Sequence, residues 1–164
     1  MTPAVVPFVR RADTADLDTI CAFNAAMALE TEGRSLDPGT LRRGVEGGLA
    51  DSSRARYFVA EWAGEASGCL MLTLEWSDWR AGFWWWIQSV YVRPEARRAG
   101  VYRALHAHVL VLARQDPEVV GLRLYVERNN QIAHNTYEAL GMHDAHYGVY
   151  EQLSSRSKSD ANVT

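Results

Sequence analysis

Arg93, Arg97, Arg98 and Arg103 crowd into one short stretch of a 164-residue chain whose net charge is −3. The stretch leaves a β-prone segment, Val90-Tyr91-Val92-Arg93-Pro94, crosses Glu95-Ala96-Arg97-Arg98-Ala99-Gly100, and enters Val101-Tyr102-Arg103, where the apolar spacing turns helical. A loop that enters a helix presents unpaired backbone N–H groups beside the positive end of the helix dipole. Successive N–H groups in a tight turn also form an anion-binding concavity. Gly100 has no side chain, so a pyrophosphate can come close to its backbone. Together these features point to a phosphate-bearing ligand held by the loop from Arg97 to Arg103. A basic turn that does no more than face solvent is the alternative.

Other residue types with chemistry to offer lie upstream and downstream of that loop. Along residues 83–92, Trp84, Trp86, Gln88 and Val90 share one face of a strand, and Phe83, Trp85, Ile87 and Ser89 the other. Aromatic faces close to Glu30, Glu32 or Glu75 would suit a small cationic amine. The same tryptophans would equally serve as core or as a dimer interface. His106 and His108 diverge on their helix, and His134, His143 and His146 have no recognised ligand spacing, so no metal site is expected.

The elements that must position these groups follow from changes of hydrophobic period. Residues 5–9 read as a first strand. Asp13 and Asp16 can cap a helix with Leu17, Ile20, Cys21, Asn24 and Ala28 on one side. Asp37-Pro38 opens a second helix that carries Leu41 and Val45 and ends near Gly47-Gly48. Three β-prone runs, residues 56–62, 67–76 and 83–92, have short links and predict an antiparallel meander. Val101, Leu105, His108, Val109 and Leu112 repeat with helical period up to Asp116-Pro117. A strand over 121–126 follows, then a helix capped by Asn129 or Asn130 and closed by Gly141. Residues 146–153 read as a last strand. The expectation is one domain over residues 1–153, with a polar tail over 154–164.

Composition narrows the function. The acidic balance and the lack of a basic stripe disfavour nucleic acid, and no global positive field exists to hold an anionic membrane. No apolar run approaches the roughly 20 residues of a membrane span. Nothing marks the chain as secreted, so a cytoplasmic protein is expected. Cys21 and Cys69 then read as small buried side chains in preference to a disulfide.

The strand, loop and helix around Gly100 resemble the hallmark of the GNAT superfamily, the Gcn5-related N-acetyltransferases: a hydrophobic strand, then Arg/Gln-x-x-Gly-x-Gly/Ala at a helix start. Arg97 and Gly100 match, while Tyr102 stands where the second small residue is usual. The segment from Asn130 through Ala133 and Tyr137 to Gly141 is similar to the family's later signature. The resemblance implies an α/β (α+β) fold: a mixed, mostly antiparallel central sheet of about six to seven strands flanked by about four helices.

It also implies acetyl-CoA as co-substrate and a primary amine of a small molecule or peptide as acceptor. Val90, Tyr91 and Val92 would pair with the pantetheine arm as an added strand would. Arg97, Arg98, Ala99, Gly100, Val101, Tyr102 and Arg103 would hold the pyrophosphate, and Asn130 would touch the cofactor from the later helix. Tyr137 would lie near the sulfur as general acid, with core packing as its other reading. Several family members place a Glu where this chain has Gln88, which cannot take a proton. Gln88 would orient a water, with Glu75 as a more distant base. Glu30, Trp84 and Trp86 are the acceptor-binding candidates. The alternative function is a catalytically silent module that binds acyl-CoA.

Overall fold

Residues 6–154 are described by the computed structural model. They form two units, one ending at Tyr125 and one beginning at Val126.

The first unit contains β1 (Phe8–Arg11), α1 (Leu17–Glu32), α2 (Pro38–Ala50), β2 (Arg56–Trp62), β3 (Glu65–Ser77), β4 (Gly82–Val92), α3 (Val101–Gln115) and β5 (Val119–Leu124). The five strands lie side by side in chain order. Pairing is antiparallel from β1 to β4, and β5 runs parallel to β4. Parallel neighbours need a crossover, and α3 supplies it.

Local chemistry sets the helix starts. Asp13 and Asp16 form a reciprocal capping box around the 3-10 turn Thr14–Asp16 that leads into α1. Asp16 also takes two hydrogen bonds from Arg10, at 2.7 and 2.8 Å, which tie this corner to β1 and hold its carboxyl below the usual range. Asp37 accepts from the Thr40 amide, and Pro38 fills the first turn of α2.

Alternation along the strands divides the interior. Phe58, Leu70, Leu72, Trp85 and Ile87 pack under Val101, Leu105 and Val109 of α3. On the opposite face Tyr57 and Val59 meet Ile20 and Val45, while Phe23, Cys69 and Tyr91 form a smaller cluster. Full burial of each such side chain is worth about 1.5–3 kcal/mol. Neither cysteine is in a disulfide: Cys69 is buried, its thiol pushed up to about 12 by burial, and Cys21 is half-buried.

A bulge in β4 changes one expectation. Met71 pairs with Gln88 and Cys69 with Tyr91, so two residues of β4 oppose one of β3. Ser89 takes up the excess with φ of 49°. Side chains therefore swap faces there. Val90 joins the α3 side with Val92, not Trp84, Trp86 and Gln88. Tyr91 takes the place on the opposite face.

Other boundaries shift for reasons of pairing. The first strand is Phe8–Arg11, since its ladder to β2 begins at Phe8 and Glu61; Val5 lies outside the described residues. β5 starts at Val119 because the Phe83 amide bonds the Glu118 carbonyl at 2.7 Å and opens the parallel ladder. The described sheet has five strands, not six to seven. Residues 146–153 account for part of the difference: they make no ladder, and Tyr147 and Tyr150 are exposed. Alternation alone does not make a strand without a neighbour to satisfy its backbone.

The second unit holds α4 (Gln131–Ala139), capped by Asn130, whose side chain accepts from the Ala133 amide at 3.1 Å. Gly141, at φ of 86°, ends it, and the Met142 amide returns to the Tyr137 carbonyl at 3.0 Å. No helix among the described residues is long and apolar enough to cross a membrane.

Candidate active site

The chain leaves β4 through the short turn Pro94–Ala96 and enters α3 at Gly100, which sits at φ of 83° as N-cap. Arg98 is also left-handed, at φ of 65°. The first bond of α3 runs from the Ala104 amide to the Gly100 carbonyl at 2.9 Å, so the Val101 and Arg103 amides stand ahead of it. Nothing lies within 4 Å of where a Cβ on Gly100 would stand. Arg98 and Arg103 are exposed beside this opening, without an ion pair among the described residues. Open space, amides ahead of the first helical bond and two cations without an ion pair among the described residues fit a pyrophosphate. Ala99 and Tyr102 are half-buried, so at these positions the backbone is what the loop offers.

Arg97 is committed elsewhere. Its Nε donates to the Val92 carbonyl at 3.0 Å, and its terminal nitrogen pairs with Glu30 near the end of α1. The other Glu30 oxygen accepts from the Tyr91 hydroxyl at 3.0 Å, and the Arg97 guanidinium lies 5.9 Å from the Tyr91 ring centre. Arg97 and Tyr91 hold the Glu30 carboxyl below its ordinary range, and burial together with Glu30 pushes the Tyr91 phenol up. Glu30 thus joins the loop and not Trp84 and Trp86.

Along β4 the ladder to β5 stops at Ile87 and Leu124. From Gln88 to Val92 that edge has no β5 partner, which leaves a backbone edge on which an extended chain could add as a strand. The unpaired edge leads from the loop to Gln88. Gln88 donates to the Thr73 hydroxyl at 2.5 Å.

Next to Gln88 a second group of candidates comes together. Glu75 accepts from the Trp86 indole with one oxygen and from Arg123 with the other, at 3.2 Å. Arg123 lies 4.0 Å from the Trp84 ring centre, Arg80 lies 5.5 Å from the same ring, and Trp86 stacks on Tyr125 at 4.4 Å. The ring faces that the sequence offers to a cationic amine thus carry the protein's own guanidinium groups. Sequence reasoning misses Arg123, Tyr125 and Thr73. The signal for the first two is the alternation Gly121, Arg123, Tyr125 along a strand, with a missing side chain where Trp84 lies flat.

In the second unit, the Asn130 side chain is engaged in capping α4. Tyr137 is half-buried on that helix, and burial pushes its phenol up.

Comparison with known proteins adds the following. The family model described as the acetyltransferase (GNAT) family matches residues 24–142. A possible acetyltransferase from Clostridium difficile 630 is 42% identical, with a TM-score of 0.85 over 91% of this chain and 98% of that one. A predicted acetyltransferase from Clostridium acetobutylicum, solved with acetyl-CoA, is 15% identical with a TM-score of 0.72, over 90% of this chain and 97% of that one. The aminoglycoside N-acetyltransferase AAC(6')-Iy, solved with CoA, is 15% identical with a TM-score of 0.74, over 93% of this chain and 98% of that one. The last two show likeness of fold. No curated protein sequence matches the chain.

Proposed function

The chain belongs to the GNAT acetyltransferase family, and from that premise we propose that it moves an acetyl group from acetyl-CoA to a primary amine of a small molecule or peptide. The observation that carries the reading is the loop at Gly100: a left-handed glycine at a helix start, with open space where its side chain would stand and the Val101 and Arg103 amides ahead of the first helical bond. Fold relatives solved with acetyl-CoA and CoA support the same co-substrate.

The co-substrate supplies an acetyl thioester, and the chain supplies position and protons. The amides of Val101 and Arg103, with Arg98 and Arg103, hold the pyrophosphate; the β4 edge from Gln88 to Val92 holds the pantetheine arm. The acceptor amine must be neutral to attack, and the departing sulfur must take a proton. Tyr137 is the donor in this reading. A phenol ordinarily titrates at about 10, against about 8.5 for a simple thiol. Burial moves Tyr137 further up, so at neutral pH its proton is present to give. Gln88 orients a water that takes the amine proton. Glu75, whose two oxygens already accept from Trp86 and Arg123, is the farther candidate base.

Gln88 also favours a second reading, a silent module that binds acyl-CoA without turnover, because it cannot accept a proton. Free-thiol release from acetyl-CoA with a panel of amines separates the two. Tyr137→Phe should lower kcat by about 10²–10⁴-fold, the usual contribution of general acid catalysis, and leave CoA affinity in place. Wild-type kcat in that variant would remove Tyr137 as the acid.

A further inference from the structure

The buried clusters beneath α1 and α2 include neither Trp84 nor Trp86. The face of the sheet beyond Gln88 is instead surfaced by Trp84, Trp86, Tyr125, Arg123, Arg80 and Glu75. We infer that this ledge binds the acceptor and selects a primary amine that carries a carboxylate at the far end of a flat apolar body. The inference rests on the transferase reading and names the acceptor class for that site.

Three features support it. The first is place. The unpaired β4 edge, read as the pantetheine track, ends at Gln88, and Trp86 and Trp84 follow on the same face at about 7 Å per step. An amine beside Gln88 therefore has the ledge, and nothing else on that strand, for the rest of its body.

The second is shape. A Cβ on Gly121 would lie 2.9 Å from the Trp84 ring, so the missing side chain lets the indole rest against the β5 backbone. Trp86 and Tyr125 are stacked with their planes 24° apart. Arg123 lies over the Trp84 ring, so the stacked Trp86–Tyr125 pair is the flat apolar surface for a planar partner, and such rigid rings lose little rotamer freedom on binding it.

The third is charge. Two guanidinium groups, Arg123 and Arg80, flank Trp84, while Glu75 is the single carboxylate of the group. Glu75 takes one bond from Arg123, which leaves most of that guanidinium's donors without a protein partner among the described residues. A second cation would meet like charge here, whereas a carboxylate would meet a fork of donors. The cationic end of the ledge lies at Trp84, away from Gln88, so the carboxylate belongs at the end of the acceptor remote from its amine.

Three compounds of one shape test this: 4-(aminomethyl)benzoate, 4-(aminomethyl)benzamide and benzylamine. In calorimetry and in thiol-release kinetics, the wild type should prefer the carboxylate over both others by about ten- to a hundredfold in Kd and in kcat/KM, the range expected for hydrogen bonds to a charged group. Arg123→Gln should collapse that preference, and Arg123→Lys should restore only part of it, because a point charge does not reproduce the fork. Equal binding of the three compounds by the wild type overturns the inference whether or not either variant folds. Thiol release with any primary amine, measured on the same protein, tells that failure apart from failure of the transferase reading. Turnover alongside equal binding of the three compounds removes only the ledge, whereas an acetyl-CoA-induced rise in Tm without turnover removes the transferase reading. Loss of both the rise and all turnover removes both.

Discussion

The two ends of β4 offer binding groups of different kinds. At its C-terminal end, the loop offers mainly backbone: the amides of Val101 and Arg103 and the edge from Gln88 to Tyr91, which has no β5 partner. Its most conspicuous side chain, Arg97, is engaged by Val92 and Glu30. Toward its N-terminal end, the ledge offers only side chains, drawn from β3, β4 and β5, the β3–β4 turn and Tyr125 just after β5, and in contact with one another. A site made of backbone can hold a ligand whose shape never varies, such as a pyrophosphate. A site made of side chains can be retuned residue by residue, which is what acceptor choice requires.

The largest effect should come from closing the backbone site. Gly100→Trp places a side chain in the open space before the α3 amides and forces a non-glycine residue to φ of 83°. The left-handed conformation alone costs about 1–2 kcal/mol, which for a chain of this size lowers Tm by very roughly 2–8 °C. Acetyl-CoA affinity should fall about a hundredfold or more, since at least two hydrogen bonds to a charged group are lost. Calorimetry showing equal affinity in the variant would break the assignment of this loop to phosphate.

This difference in kind also decides which parts of the molecule are legible in the amino-acid sequence. The loop is legible because its ingredients are local: a β-prone run, a glycine and the onset of helical spacing follow one another within a dozen or so residues. The meander and the capped starts of α1, α2 and α4 are legible for the same reason. Other features are not. The face of Val90 depends on a bulge, and Ser89 at φ of 49° is not a residue type that announces one. The segment 146–153 alternates like a strand, but whether a strand forms depends on a neighbour that its own pattern does not specify. Glu30 reads as an acceptor ligand, yet its partners, Tyr91 and Arg97, are 61 and 67 residues away in the chain. Arg123 escapes notice for a similar reason: its alternation with Gly121 marks a face of the strand, but the tryptophan it covers, Trp84, comes from another strand.

A smaller effect should test whether Arg97 acts through the loop's position or on the phosphate itself. If the Glu30 pairing holds the loop in shape, Glu30→Gln should weaken acetyl-CoA binding a few-fold at most, as befits a solvent-exposed charged contact. If Arg97 is a phosphate ligand restrained by Glu30, the same substitution should tighten binding. The sign of the change decides. Acid pH should act in the same direction: the Glu30 carboxyl is held below its ordinary range, so the pairing is present at neutral pH and is lost as pH falls through that lowered value. The KM for acetyl-CoA should change over that range in the wild type with the same sign as the Glu30→Gln effect, and Glu30→Gln itself should not show this pH-dependent component.

The smallest effect probes the ledge without touching a charged or aromatic side chain. Gly121→Ala adds one methyl group, whose carbon would stand 2.9 Å from Cζ3 of Trp84 and 3.5 Å from Cε3. Real contacts do not come that close, so the indole must tilt away from β5. Arg123 lies 4.0 Å from the centre of that ring and 3.2 Å from Glu75, so a tilt of the ring disturbs the stack while the ion pair persists. Overpacking of this kind costs about 1–3 kcal/mol where the core is tight; at a half-buried ring the lower end applies, and Tm should fall by only a few degrees. Preference for 4-(aminomethyl)benzoate over its amide should drop about two- to threefold, because the guanidinium keeps its charge and loses its seat. Acetyl-CoA affinity should stay at the wild-type value, since the loop lies at the opposite end of β4. A matched fall in both affinities would mean that the two ends are coupled through the strand, and the division between a backbone site and a side-chain site would fail.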